Sequence, residues 1–91
     1  MVYFDMQEIK WDALKNRKLK EIRGASFEDL LNSKFIGLYK HPTRRNQFLL
    51  LCEYEEYVWV IPCTINLNDI FLKTLYRSRK FTRMYTKGEI K

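Results

Sequence analysis

The sequence is poor in residues that break, cross-link or coordinate. It holds three glycines, two prolines, two cysteines and one histidine in 91 residues. With so few glycines there is no loop of the kind that cradles phosphates, which argues against nucleotide-dependent enzymes of the usual folds. Cys52 and Cys63 lack metal-ligand spacing, and with His41 as the sole histidine a zinc site would need carboxylates as well. No metal and no cofactor is expected, and no Ser-His-Asp or Cys-His set can be assembled. Two thiols in such a chain fit a reducing cytoplasm, where both are expected to be half-buried. The longest uncharged apolar run, around Val58–Ile61, is far short of the ~20 residues that a membrane helix needs. Asp5 and Glu8 interrupt any signal-like segment near the N-terminus. The expected location is therefore cytoplasmic, with no membrane partner. There is no repeat, low-complexity tract or linker, so residues 1–91 are expected to form a single domain.

What the chain does have is positive charge and aromatic surface. Lys and Arg number 17 against 11 Asp and Glu, giving +6 and a pI near 9.4, and aromatics reach 15%. That balance points to a polyanion, usually nucleic acid, or to an acidic protein partner. The charge is unevenly placed. Residues 57–91 carry seven basic and two acidic groups, whereas residues 24–56 carry four and five.

The local patterns predict an α+β domain. Val2, Phe4 and Met6 alternate as a short strand or extended arm. Asp12 can cap a helix in which Leu14, Leu19 and Ile22 recur at helical spacing, and Gly24 suits its left-handed end. Ser26 and Asp29 resemble a capping box for a second, short helix whose buried face is Phe27, Leu30 and Leu31. Strands follow over Phe35–Tyr39, Gln47–Tyr54, Glu56–Ile65 and Ile70–Tyr76. Turns fall at 41–46 and 55–56, and Pro62 marks a weakened strand end. The unbroken run Phe48–Cys52 predicts a central strand covered on both faces. Trp11 and Trp59 are expected in the core, and Glu53, Glu55 and Glu56 at a solvated turn. Ser78 should cap a short basic helix. The expected architecture is two N-terminal helices, an antiparallel sheet of about four strands and a short C-terminal helix.

Two places carry candidate chemistry. On the C-terminal helix Arg79 and Arg83 share a face at a spacing of four, as do Lys80 and Arg83 at three. Arginine forks onto phosphate oxygens and lysine adds a point charge. Tyr76 and Tyr85 could stack bases, as aromatics do on single-stranded RNA, with Arg77 beside them. The turn at 41–46 offers Arg44 and Arg45 for phosphate contact. It also offers His41, whose ordinary pKa lies near neutrality and suits proton transfer.

Three blocks in order extend this reading: Trp11-Asp12-x-x-Lys15, Gly24-x-Ser26-Phe27-Glu28-Asp29 and Ser78-Arg79-Lys80-x-Thr82-Arg83. Together they resemble the BrnT-type toxins, a branch of the RelE-like ribonucleases of bacterial type II toxin–antitoxin systems. The chain departs from the family at Leu19, Arg23 and Gln47, where the family often has Asn, His and Arg. The resemblance implies a compact antiparallel sheet flanked by helices. It also implies mRNA cleavage that inhibits translation, possible association with the ribosome, and neutralisation by a small DNA-binding antitoxin of the ribbon-helix-helix kind. Cleavage without a metal would place Arg79, Lys80 and Arg83, with Arg44 or Arg45, around the phosphate. His41 or Tyr85 would move the proton. A non-catalytic RNA- or DNA-binding module, or a basic protein-interaction domain, is the alternative.

Overall fold

A computed structural model describes residues 2–4 and 7–90. The helix starts follow the sequence closely. Asp12 Oδ1 accepts from the amides of Leu14 and Lys15 at 2.9 and 3.1 Å, opening α1 (Ala13–Arg23). Gly24 ends it at φ 89°, a value that costs other residues about 1–2 kcal/mol. Ser26 Oγ accepts from the Asp29 amide at 3.1 Å, and Asp29 Oδ2 accepts from the Ser26 amide at 2.9 Å. This completed capping box opens α2 (Phe27–Leu31).

The buried face of α1 differs from the apolar pattern. Leu19 is buried, but Leu14 and Ile22 are 73% and 66% exposed. Asn16 takes an inward place instead. Its side chain accepts from the Phe27 amide at 2.7 Å and donates to Glu28 Oε1 at 2.6 Å. A buried polar residue that finds both partners can fix one helix against the next without an apolar stripe.

The sheet is larger than expected, and it is mixed. Its strands are β1 (Val2–Phe4), β2 (Gln7–Trp11), β3 (Lys34–Lys40), β4 (Gln47–Tyr54), β5 (Tyr57–Ile65), β6 (Asp69–Leu72) and β7 (Tyr76–Arg77). They lie in the order β1-β2-β6-β5-β4-β3, with β7 also on β5. The extended arm before Asp12 is thus two strands, although Met6 lies outside the described residues. Neighbours are antiparallel except β2 and β6, which run parallel. The antiparallel four-strand meander therefore needs correction. The helices and three strands between β2 and β6 provide the long crossover that a parallel pair requires.

The strand expected over Ile70–Tyr76 is broken. Leu72 faces Cys63 and Tyr76 faces Val60, so four steps on one strand oppose three on the other. The extra residue is a bulge at 73–75, and it inverts the side-chain alternation beyond it. Pro62 lies opposite this bulge, and β5 runs on through it to Ile65. The Pro62 carbonyl accepts from the Lys73 amide at 2.9 Å. The absent N–H of Pro62 faces that same side, so β4 loses no ladder bond.

Helices pack on both faces of the sheet. Against α1 and α2 lie Leu50, Cys52, Trp59, Ile61, Cys63, Ile70, Leu72 and Leu75, with Trp11 half-buried beside them. The Trp11 and Phe27 rings meet at 5.7 Å. Across the sheet, Ile36, Leu51, Val58 and Val60 pack under α3 (Arg79–Thr86). The continuous apolar run of β4 is explained by this double cover. The cysteines are fully buried at 1% and 0% exposure, not half-buried as expected.

Candidate functional site

The C-terminal helix is built to display cations. Ser78 Oγ accepts from the Phe81 amide at 3.0 Å and caps α3. No acidic residue occupies the first turn. Arg79 and Lys80 instead add positive charge at the positive end of the helix dipole. Phe81 and Tyr85 face the sheet, while Arg79, Lys80 and Arg83 are exposed. One hydroxyl locks the arrangement: Thr82 Oγ1 accepts from the Val58 amide at 2.8 Å and donates to the Ser78 carbonyl at 2.6 Å.

Lys34 joins this surface from the start of β3. Its ammonium stands 5.8 Å from the centre of the Tyr85 ring. The Tyr85 phenol, and then Glu53, hold it above the usual lysine value of 10.5. Nothing local in the sequence marks Lys34. It reaches Tyr85 because β3 pairs Lys34 with Glu53, which itself faces Val58 under α3.

The bulge before β7 sets which face Tyr76 and Arg77 each point to. Tyr76 packs on the α3 side. The Arg77 guanidinium lies on the α1 side, 5.0 Å from the Tyr57 ring centre and 5.8 Å from that of Trp59. Without the extra residue these two directions would be exchanged.

The loop at 41–46 sits elsewhere. The His41 amide donates to the Gln47 carbonyl at 2.8 Å. His41 Nδ1 accepts from the Thr43 and Arg44 amides, each at 3.2 Å, so only Nε2 is left for a substrate. Arg44 and Arg45 are exposed on the same loop. Tyr85 contacts Lys34 at one end of β3, and the loop follows Lys40 at the other. Six strand steps separate them, about 20 Å. The structure therefore does not bring His41, Arg44 and Arg45 to the α3 cations.

Between the two groups the sheet face is only partly covered. By strand alternation Tyr39, Gln47, Thr64, Phe71 and Lys10 point to the same side as α3. Tyr39 is 39% and Phe71 38% exposed. The Tyr39 ring lies across Gly37, where an added Cβ would stand only 2.7 Å from it. This open face runs from the α3 cations to the 41–46 loop.

Other chemistry is not assembled. Among the described residues no group of three or more His, Cys, Asp or Glu side chains is placed to hold a metal. Burial pushes the Cys63 thiol up to about 11 and raises that of Cys52, which disfavours the reactive thiolates. No described helix is long and apolar enough to cross a membrane.

A mixed sheet with two N-terminal helices on one face and a short basic C-terminal helix on the other defines the class: the chain has a BrnT-type fold. It is similar to the crystal structure of the ribonuclease toxin BrnT of Brucella abortus. The TM-score is 0.53 at 15% identity, covering 79% of this chain and 96% of that one. No family model matches the sequence, and no curated protein matches it.

Proposed function

We propose that this chain is a ribonuclease toxin of a type II toxin–antitoxin system, acting as one domain in the cytoplasm. The observation that carries the reading is the α3 surface. Three exposed cations, Arg79, Lys80 and Arg83, stand on a helix clamped to the sheet by Thr82, in a fold similar to that of a ribonuclease toxin. In metal-independent cleavage a ribose 2′-oxygen attacks the adjacent phosphorus. The bond to the 5′-oxygen breaks, leaving a 2′,3′-cyclic phosphate and a free 5′-hydroxyl. Pre-aimed guanidinium and ammonium groups stabilise the charge that builds on the phosphoryl oxygens. Arg79, Lys80 and Arg83 fill that role. Tyr85, beside Lys34, is the proton-transfer group; His41, at the far end of the sheet, is out of reach of this phosphate. Single-stranded mRNA would cross the open face, with Tyr76 at one side and Arg44 and Arg45 at the other, and would meet Arg77 only where it leaves that face over β7. Its cleavage would inhibit translation, at or away from the ribosome. The toxin reading implies a cognate antitoxin, expected to be a ribbon-helix-helix protein.

Induction in bacteria should arrest growth. Arrest should be lost in a folded Arg79→Ala/Arg83→Ala variant; full toxicity of that variant would refute the site. One observation favours a second reading, an RNA-binding module that does not cut. The sole histidine lies about 20 Å along the sheet from the Tyr85 end of the α3 surface, so no imidazole serves it.

A further inference from the structure

A second group of cations lies on the opposite face of the sheet from α3. Ile22, Arg23, Trp59, Tyr76 and Arg77 line a cleft of about 250 Å³. Arg23 ends α1, and its Nη1 donates to the Leu75 carbonyl at 2.9 Å. That carbonyl belongs to the bulge that precedes β7, so the irregularity that turns Arg77 into the cleft also holds Arg23 there. Arg77 is steadied differently, by the faces of Tyr57 and Trp59. Both residues are exposed, and neither guanidinium is in an ion pair with a carboxylate among the described residues. Only one residue separates Arg77 from Arg79 at the start of α3, so the two basic faces meet at β7.

We infer that this cleft binds a backbone phosphate of single-stranded RNA, one or more nucleotides away from the α3 surface. The strand would then pass over β7 from one face of the sheet to the other. Two oriented guanidiniums with no carboxylate partner among the described residues suit a tetrahedral phosphate, and the ring faces that hold Arg77 limit its side-chain freedom before the phosphate arrives. Arg23 is the residue that makes the cleft doubly cationic. The inference rests on the RNA reading above, and its test separates the two.

The probe is a short 2′-O-methyl oligoribonucleotide, which can bind but cannot be cut. Its affinity is measured against salt for the wild-type chain, for Arg23→Gln/Arg77→Gln and for Arg79→Gln/Arg83→Gln. The cleft variant should bind about tenfold more weakly or worse. Its log–log salt slope should be shallower by about 1.4, or 0.7 per lost contact. Wild-type affinity and slope in the cleft variant, with weakened binding in the α3 variant, would overturn the cleft and leave the proposed function standing. No RNA binding by the wild-type chain at low salt would overturn both. Loss of poly-glutamate binding in the cleft variant, with RNA binding intact, would assign the cleft to an acidic protein and also overturn the inference. Arg77→Gln alone guards against misfolding, because the Arg77 side chain makes no hydrogen bond among the described residues and the β7 backbone pairing is left intact. It should lower the slope by about 0.7.

Discussion

Thr82 decides whether the basic helix is a firm surface or a loose one. Its hydroxyl is the acceptor for the Val58 amide, at 2.8 Å, on a strand residue only 1% exposed. Thr82→Val keeps the side-chain shape and removes only the hydroxyl. The Ser78 carbonyl still receives the amide of residue 82, so it is not stranded. The Val58 N–H loses its partner beneath α3, where water cannot easily replace it. An orphaned buried donor costs about 1–3 kcal/mol. Taking about 2 kcal/mol, the melting midpoint should fall by roughly 8–16 °C for a domain of this size. Thr82→Ser keeps the hydroxyl and should lose less than about half as much. Circular dichroism gives the midpoints from thermal melts and the free energies of both variants from urea unfolding. RNA binding by folded Thr82→Val should also weaken, because Arg79, Lys80 and Arg83 ride on the loosened helix. Equal stability of wild type and Thr82→Val, or a larger loss in Thr82→Ser, would refute the claim that this hydroxyl clamps α3.

Three further outcomes follow from the geometry. The 2.7 Å contact with Lys20, and then the capping-box bond from the Ser26 amide, hold the Asp29 carboxyl below its usual 3.8. Asp29→Ala removes the N3 half of the capping box and an exposed ion pair, and should cost about 0.5–1 kcal/mol at neutral pH. Because the folded value is the lower one, the wild-type advantage is present above the ordinary carboxylate range. It should shrink as the pH falls through the folded value, which denaturation at a series of acid pH values will show. Glu55 and Glu56 form the two-residue turn between β4 and β5 at φ 52° and 67°. Asn and Gly suit such a turn, and Glu55→Asn/Glu56→Gly should raise unfolding free energy by about 1–2 kcal/mol. Both cysteines should resist alkylation in the folded chain at neutral pH and react in denaturant; rapid labelling of the folded protein would contradict their burial.

The helices were the most legible part of the fold, because each begins with a residue whose side chain does the capping. Asp12, Ser26 and Ser78 all accept the expected amides. Two of the three motif blocks are in large part this punctuation, together with the Trp11–Phe27 contact. Strand identity was legible where both faces are covered, as in β4. Partners were not, since the parallel β2–β6 pairing depends on contacts far apart in sequence. The inward face of α1 was misread because Asn16, a polar residue, takes a place that periodicity assigns to leucine. The bulge left no local sign except Pro62 on the opposing strand, yet it sets where Tyr76 and Arg77 point. For the site, spacing alone found the α3 cations. It could not find Lys34, which only tertiary structure brings to Tyr85. Nor could it show that the 41–46 loop stands at the far end of the sheet.

Whether α3 is the working surface of a nuclease is tested most directly by incubating purified chain with single-stranded RNA in the presence of EDTA. The account predicts fragments ending in 2′,3′-cyclic phosphate. It also predicts a loss of at least about a hundredfold in rate for folded Arg79→Ala/Arg83→Ala, consistent with removing preorganised charge stabilisation. Binding without fragments would favour the non-cutting module, and cleavage at the wild-type rate by the double variant would contradict the account.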